Sequence, residues 1–427
     1  MNSELTSART ATLREMAAAG APTQTISGSP VDALRNVTFR RVFFGTFASN
    51  IGTWMQNVTL IVLADRLTGQ AAFVGTITFA QLGPMLIATP VGGVLADRIN
   101  RKTIMVTSLI VQALLSTALA WCALAASPSK TAIVGIVLGI GIAGALGSPA
   151  AQATVPHLVG PENLAAAISL NSAQMNASRV IGPLLAAIPL ISAPSTVFFL
   201  NAGTYLFAIG AIMSVTFGPT SLADAPRQKI LDGFRAVRAD RTIRLVIGTV
   251  AVYSLCSLSF IYHMKGFARV HLHLSDQAYN WLFASFGTGA ALGALVVGIF
   301  AREANSYTVV RWSLLAFALM LSGFALSSGT LLPFVFVAAC GGTYFSAITA
   351  LSTLLQRQLA PDIRGRVMSV WMMAWAGMVP IGAMIAGLMI DWAGHRSVFL
   401  VGAGVAAACA LNFRMRDTTP NHSHTTR

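Results

Sequence analysis

The sequence predicts an all-α membrane protein with twelve transmembrane helices in two pseudo-symmetric six-helix bundles. Three observations predict this: a composition too apolar for a soluble surface, a series of apolar stretches of membrane length, and an internal repeat. Of the 427 residues, 55% are hydrophobic and only 10% are charged, whereas soluble proteins carry about 25% charged residues. Lipid is therefore expected to surround much of the chain, because an apolar stretch of about 18 residues or more crosses roughly 30 Å of hydrocarbon as a helix.

The first bundle, residues 39–217, follows an N-terminal extension over residues 1–38. The extension is polar, mixed in charge and lacks an apolar core, so it is expected to be a mostly disordered cytoplasmic segment. The bundle is expected to hold six spans, with Gly and Pro scattered inside them as membrane helices permit. These spans are predicted over 40–63, 72–96, 103–126, 131–154, 166–190 and 195–217.

The second bundle, residues 244–413, is joined to the first by a polar cytoplasmic linker over residues 218–243. A cytoplasmic tail, residues 414–427, ends the chain. The spans of this bundle are predicted over 244–264, 278–300, 307–327, 331–355, 367–390 and 397–413.

The two bundles resemble each other in sequence. Residues at the start of span 1 recur at the start of span 7 in the same order, and the basic loops recur between equivalent spans. Paired bundles of this kind rock against each other around a site near the middle of the membrane, which predicts secondary transport. The recurring residues are Arg41, Gly45, Thr46 and Ala48, repeated as Arg244, Gly248, Thr249 and Ala251.

The net charge of +14 is explained by topology. Most of the 28 lysine and arginine residues fall in segments that lie on one side of the predicted spans, and such an excess marks the cytoplasmic side. Both termini are therefore expected in the cytoplasm, the protein in the inner or plasma membrane of the cell, and no nucleic acid among its partners. The basic residues predicted outside are Arg66, Lys130, Lys265, Arg269 and Arg396.

One ionic cluster interrupts two long uncharged runs, in "GGVLADRINRK" at 92–102. It resembles the loop 2–3 signature of the major facilitator superfamily, with Asn100 in place of the usual Gly; Asn is the next-best residue for a left-handed turn. The stretches 39–56, 148–183 and 364–369 resemble the branch that contains the enterobactin exporter and many multidrug efflux proteins. The residues that match the signature include Gly93, Asp97, Arg98, Arg101 and Lys102.

The resemblance implies a role for this cluster. Asp97 is expected to face the N-terminus of the helix that forms span 11, near Arg364 and Arg366. This contact is expected to hold the two halves together while the site faces outward. A carboxylate at a helix N-terminus contributes about 0.3–1 kcal/mol, which biases a two-state equilibrium without freezing it. We call the expected contact of Asp97 with the N-terminus of the span 11 helix the inner latch. The alternative interpretation is that the cluster only enforces topology.

Arg179, within span 5, is a candidate for substrate contact. A cation inside a span costs a few kcal/mol and by default marks a functional site, and no acidic residue lies deep in any predicted span to pair with it. An unpaired arginine facing a cavity attracts an anionic group. The alternative is a structural role in which the guanidinium snorkels or caps carbonyl groups.

Span 1 places Asn50, Trp54 and Asn57 on one helical face. Two amides and an indole are expected either to line a cavity or to bond neighbouring helices. Across the cavity, Tyr253 of span 7 and Trp375 of span 11 are the opposite candidates, although aromatic residues in membrane helices more often simply pack.

Proton coupling has weaker candidates. Asp65, at the outer end of span 1, is the best remaining acid, and His263, at the end of span 7, is the other titratable choice. Both also fit an interfacial position without a coupling role. Gly182 and Pro183 resemble the G-P step of the antiporter signature, whose following G-G is absent here, and they support export weakly.

The leading hypothesis is proton-driven export of a small amphipathic or anionic compound such as a drug, siderophore or metabolite. An uptake carrier or facilitator that needs no proton is the alternative, followed by a non-transporting membrane sensor or scaffold. No enzyme, cofactor or metal site is expected: "GIGIAG" (139–144) lies in one uncharged membrane-length run, not after a strand as in a dinucleotide site. The expected partners are the substrate, lipid and protons, and the protein is expected to be a monomer.

Overall fold

The computed structural model describes residues 29–216, 230–300, 306–359 and 361–413, and within these ranges the chain is helical without a β-strand. The all-α class predicted from the sequence is confirmed, and the count of twelve transmembrane helices stays a prediction. The N-terminal half consists of α1 (Pro30–Arg35), α2 (Val37–Thr68), α3 (Ala71–Leu82), α4 (Met85–Arg98), α5 (Arg101–Leu124), α6 (Lys130–Leu158), α7 (Leu164–Ala186) and α8 (Pro194–Met213).

The linker contributes a helix of its own, and the C-terminal half follows directly. A π-helical turn (Met373–Gly377) separates α15 from α16, and Gly394, at φ 80° and ψ 161°, breaks the long helix α16 between predicted spans 11 and 12. The helices are α9 (Ile230–Ala239), α10 (Arg241–Cys256), α11 (Phe260–His271), α12 (Asp276–Phe300), α13 (Ser306–Leu326), α14 (Leu331–Gln358), α15 (Pro361–Met372) and α16 (Met378–Leu411).

Eight helical segments of the described residues are long and apolar enough to cross a membrane. One of them, Ile363–Leu411, has 49 residues and covers both predicted spans 11 and 12. The helices α2, α7 and α12 coincide with predicted spans 1, 5 and 8, and their crossing of the membrane stays a prediction.

Several helix ends are fixed by local chemistry. Asn36 caps α2 by accepting a hydrogen bond from the N–H of Phe39 (3.1 Å), and Gly69 ends the same helix at φ 65°, a conformation that glycine adopts at no steric cost. Asp240 caps α10 through the N–H groups of Thr242 and Ile243. Such side chains satisfy N–H groups that have no partner inside the helix.

The structure differs from the predictions at three places. Asn100 does not form a left-handed turn: its φ is −54° and its side chain caps α5 instead. The N-terminal extension contains α1 and the start of α2, while residues 1–28 lie outside the described residues. Lys265 and Arg269, predicted in an outer loop, belong to α11, because the helix continues beyond the apolar run that marked span 7.

The two halves meet along two seams. Helix α3 of the first half packs on α16 of the second, and α7 packs on α12. Within each half the helices pack more extensively, for example α2 and α5 against α8, and α12 and α13 against α14. The seams therefore lie between two internally packed bodies, as the internal repeat predicts.

Candidate functional site

Arg179 lies on α7 where this helix crosses α12. The crossing is close, since a Cβ built on Gly287 of α12 would come within 3.1 Å of the Arg179 carbonyl oxygen. The guanidinium carbon lies 5.4 Å from the centre of the Trp54 ring and 5.0 Å from that of Phe345. Trp54 belongs to the first half and Phe345 to the second, so both halves contact this cation.

The charge of Arg179 is not neutralised within the described residues. No acidic side chain there pairs with the guanidinium, and no oxygen there accepts a hydrogen bond from it. Cation–π contact stabilises a desolvated arginine by about 2 kcal/mol per ring, but a ring face accepts no conventional hydrogen bond from the N–H groups in place of an anion. The five N–H donors of the guanidinium therefore remain available to an anionic group.

The polar face of α2 divides between two roles. Trp54 contacts Arg179, whereas Asn57 accepts a hydrogen bond from Gln81 of α3 and so joins two helices of the same half. Asn50 is partly exposed and has no hydrogen-bond partner within the described residues. The structure thus places Trp54 beside Arg179 and gives Asn57 an interhelical bond, while a role for Asn50 in the cavity stays a prediction.

The second half contributes aromatic residues from α14 and the π-helical turn. Trp375 donates a hydrogen bond from Nε1 to the hydroxyl of Tyr344 (2.6 Å), directly beside Phe345. π-Helical turns inside α-helices occur frequently at functional sites. Tyr253, in contrast, is 0% exposed and packs against Phe317 and Tyr344 inside the half. In this structure its face of α10 points toward α13 and α14, and a role for Tyr253 in lining the cavity stays a prediction.

Gly182 allows α7 to lie against α2. A Cβ at this position would come within 2.6 Å of the Trp54 Cβ and within 2.9 Å of the Ile51 carbonyl oxygen. Pro183, the next residue, is also buried. The G-P step therefore has an observable packing role: it sets the distance between the helix that carries Arg179 and the helix that carries Trp54.

An ion network connects the ends of α2, α11 and α12. We call it the outer ion network, because the predicted topology places these helix ends outside. Arg269 donates two hydrogen bonds to the Asp65 carboxylate (2.8 and 3.1 Å). Lys265 lies 2.6 Å from Asp276 and 3.8 Å from Asp65, and Arg66 pairs with Asp276. These five residues come from both halves, so the network forms only where the outer ends of the halves meet.

The deepest members of the network are almost fully enclosed. Asp65 is 4% exposed and Lys265 is 2% exposed. Asp276 lies just outside predicted span 8, where burial by itself would raise the pKa of its carboxyl, but Lys265 and Arg66 hold that pKa below its ordinary value. Sequence analysis placed Asp65 among the coupling candidates; the structure engages its carboxylate in two ion pairs.

His263, the other coupling candidate, lies inside the second half. It is 2% exposed, and its Nε2 atom lies 2.8 Å from the carbonyl oxygen of Ala383 on α16. Its Nδ1 atom has no hydrogen-bond partner among the described residues. The ring is thus close to the α3–α16 seam, since Gly75 of α3 packs on the same Ala383.

A model of the transmembrane secretion effector family matches residues 28–425, nearly the whole chain. The chain belongs to the major facilitator superfamily. Curated relatives include the enterobactin exporter EntS of Shigella boydii serotype 4, which is 27% identical over 356 residues, 82% of this chain and 84% of that protein. The exporter of the same name from Escherichia coli O1:K1 shows the same identity and coverage.

Solved structures of transporters share the fold. The nucleoside transporter NupG aligns with a TM-score of 0.71 at 13% identity, covering 88% of this chain and 98% of its own. A bacterial homologue of the human lysosomal transporter Spinster, in an inward-facing and unoccupied conformation, aligns with a TM-score of 0.67 at 16% identity, covering 88% and 94%. This member of the superfamily is a secondary transporter and not an enzyme.

The superfamily signature between α4 and α5 bonds mainly within the first half. Arg101 donates to the carbonyl oxygen of Ala153 on α6 (3.2 Å), and Lys102 donates to the last carbonyl groups of α8. Arg98 is exposed, Gly93 has open space around its Cα, and the side chain of Asp97 lies outside the described residues.

The residues expected to face Asp97, Arg364 and Arg366, lie on α15, just before predicted span 11. Arg364 donates a hydrogen bond to the carbonyl oxygen of Leu359 (3.3 Å). The carbonyl of Arg366 is approached by Gly233 of the linker helix α9, where a Cβ would come within 2.6 Å. The inner latch stays a prediction.

Gln56 and Asn201 form a buried polar contact that was not predicted from the sequence. The amide oxygen of Gln56, 1% exposed, accepts hydrogen bonds from Asn201 of α8 (2.9 Å) and from Ser116 of α5. A buried amide in an apolar span is the signal that could have identified this three-helix contact, because a polar group in hydrocarbon needs a partner.

Proposed function

We propose that this transporter exports a small amphipathic or anionic compound by alternating access, driven by the proton gradient, with both termini in the cytoplasm. The observation that carries the proposal is Arg179: a cation without an acidic partner among the described residues, positioned between the two halves and flanked by Trp54 and Phe345. An anionic group supplies the missing charge, and the aromatic faces suit the apolar part of such a compound.

Export is supported by the relatives. The curated proteins that match over most of this chain are named as exporters of enterobactin. The name gives the direction and cargo of those proteins, and we extend only the direction to this chain.

A proton-independent carrier or facilitator remains the second candidate, and one observation favours it. Asp65, the best acid for coupling, is bound by Arg269 and lies near Lys265, so its charge is already balanced in this conformation. If Asp65 carries the proton, it does so only after the outer ion network separates.

Accumulation assays test the proposal. Cells with and without the protein are loaded with a panel of fluorescent dyes, antibiotics and siderophores, and the rate of loss of each compound is measured before and after a protonophore collapses the gradient. We expect faster loss of at least one anionic compound, and a return to the background rate with the protonophore. Loss that resists the protonophore favours the facilitator, and faster accumulation favours uptake.

A further inference from the structure

Asp391, which lies on α16 three residues before the break at Gly394, bonds to the first residues of α3 in the other half. Its carboxylate accepts hydrogen bonds from the backbone N–H groups of Ala71 (2.8 Å) and Ala72 (2.9 Å). The partners are about 320 residues apart in sequence, and Asp391 is not among the functional residues predicted from the sequence.

Helix α3 has no cap of its own. Gln70, the residue before the helix, makes no side-chain hydrogen bond to the first turn. The first N–H groups of a helix have no partner inside it and form the positive end of its dipole. The carboxylate of Asp391 satisfies two of them and places a negative charge there, so this helix end is completed only when the halves are together.

The backbones of α3 and α16 also touch beside this cap. A Cβ on Gly387 would come within 2.5 Å of the Ala71 carbonyl oxygen, and one on Gly75 within 2.7 Å of the Ala383 carbonyl oxygen. Further inward, Gly377 is approached by the side chain of Leu86 instead of by backbone. The backbones of α3 and α16 are therefore in direct contact beside Asp391, whereas the contact at Gly377, in the π-helical turn, is with a side chain of α4.

We propose that Asp391 is an outer latch: its bonds to Ala71 and Ala72 hold the outer face closed and break when that face opens. The proposal rests on the alternating access proposed above. Its chemistry matches that expected of Asp97 with the halves exchanged, since here the acid comes from the second half and the helix N-terminus from the first. Asp391 is exposed, so water can replace the N–H groups on release, and the latch is reversible.

The outer ion network differs in kind from this latch. It joins side chains with one another, at the ends of α2, α11 and α12, whereas Asp391 bonds to backbone groups that cannot rotate away. A change at Asp391 therefore leaves all five network residues in place, and the contribution of the latch is measured separately.

Cysteine labelling measures opening of the outer seam without knowledge of the substrate. Thr78, 1% exposed, lies on the same face of α3 as Ala71 and Gly75, deeper along the seam. In intact cells carrying the full-length protein with Thr78→Cys, the rate of reaction with a membrane-impermeant maleimide reports opening, and the protein without this substitution gives the background from native cysteines. We expect Asp391→Asn to raise the rate roughly fivefold, because the amide loses the charge and one acceptor atom.

Two further variants complete the experiment. Ala71→Pro removes one of the two donors at the first helical position, where proline is tolerated and the preceding residue is already extended, and we expect a similar rise that is not additive with Asp391→Asn. Trp392→Ala, at the exposed neighbouring position, is the matched control and should leave the rate unchanged.

Unchanged labelling in both Asp391→Asn and Ala71→Pro, at normal amounts of protein in the membrane, would overturn the outer latch. Equal rises from Trp392→Ala would overturn it too, because they would indicate general loosening. The export proposal fails separately: altered labelling without transport of any compound refutes export and keeps the latch, whereas normal export with unchanged labelling refutes the latch alone.

Discussion

At the scale of the residue, Arg179 shows how a cation is retained at the seam between the two halves. Two aromatic rings at 5.4 and 5.0 Å contact it, and their attraction recovers only part of the free energy of removing the charge from water. In the outer ion network each carboxylate is instead paired with two basic side chains. Paired charges fit a closing contact, and an unpaired one fits a binding site.

Substitution of Arg179 tests this distinction. We expect Arg179→Gln to lower the initial export rate of an anionic compound by roughly 10- to 100-fold, because charge-assisted hydrogen bonds to the anion are lost. Arg179→Lys should keep an intermediate rate, since it retains the charge but not the planar donor set. Rates are measured in cells at matched protein amounts, and wild-type rates in both variants would contradict a substrate contact.

At the scale of the element, the contact of α7 with α2 depends on the absence of one methyl group. Gly182 leaves no room for a Cβ beside Trp54 and the α2 backbone. A glycine in a helix is usually a small loss of about 0.5–1 kcal/mol relative to alanine. Here the close approach that it permits outweighs that loss.

Gly182→Ala is therefore expected to lower stability, although most helical Gly→Ala changes raise it. Overpacking of this kind costs about 1–3 kcal/mol, and the helix carrying Arg179 should move away from Trp54. Thermal unfolding of the purified protein in detergent measures the effect. The control is Gly210→Ala on α8, where no atom lies within 4 Å of the new Cβ. Its melting temperature should stay the same or rise. The same response at both positions would refute the packing argument.

At the scale of the whole molecule, the two halves are joined at the outer face through backbone contact, the outer ion network and the Asp391 cap. A transporter that alternates needs each face to be held closed by contacts that the other state lacks. The expected inner latch at Asp97 and the proposed outer latch at Asp391 supply such contacts on opposite faces.

Opposite effects of the two acids on one reporter are expected. Asp97→Asn should weaken the outward-facing state, slow maleimide labelling at Thr78→Cys and lower transport while membrane insertion stays normal, whereas Asp391→Asn speeds labelling. The double variant should return toward the original labelling rate, because each free-energy change biases the same equilibrium in the opposite direction. Faster labelling in Asp97→Asn would contradict the inner latch.

Much of this architecture could be predicted from the sequence. Hydropathy and length are local properties, so the apolar helices follow from composition, and the lack of a deep acid near Arg179 could be noticed without coordinates. The two halves and the linker over 218–243 stay predictions from the internal repeat and the polar stretch between the copies. The predicted ends of spans were wrong where an apolar run ended but the helix continued, as at Lys265. There the charged side chain is buried inside the protein and paired with Asp276, which hydropathy alone does not indicate.

The sequence by itself determined the all-α membrane class and the unusual position of Arg179 within an apolar stretch, since both depend on which residue types occur within one helix. Only the tertiary structure decided that Tyr253 is core, that Asp65 pairs with residues 204 positions away, and that Asp391 caps a helix of the other half. The first outcome depends on how the helices of the second half pack on one another, and the other two depend on how the two halves dock. Docking brings together residues whose local sequence holds no information about each other.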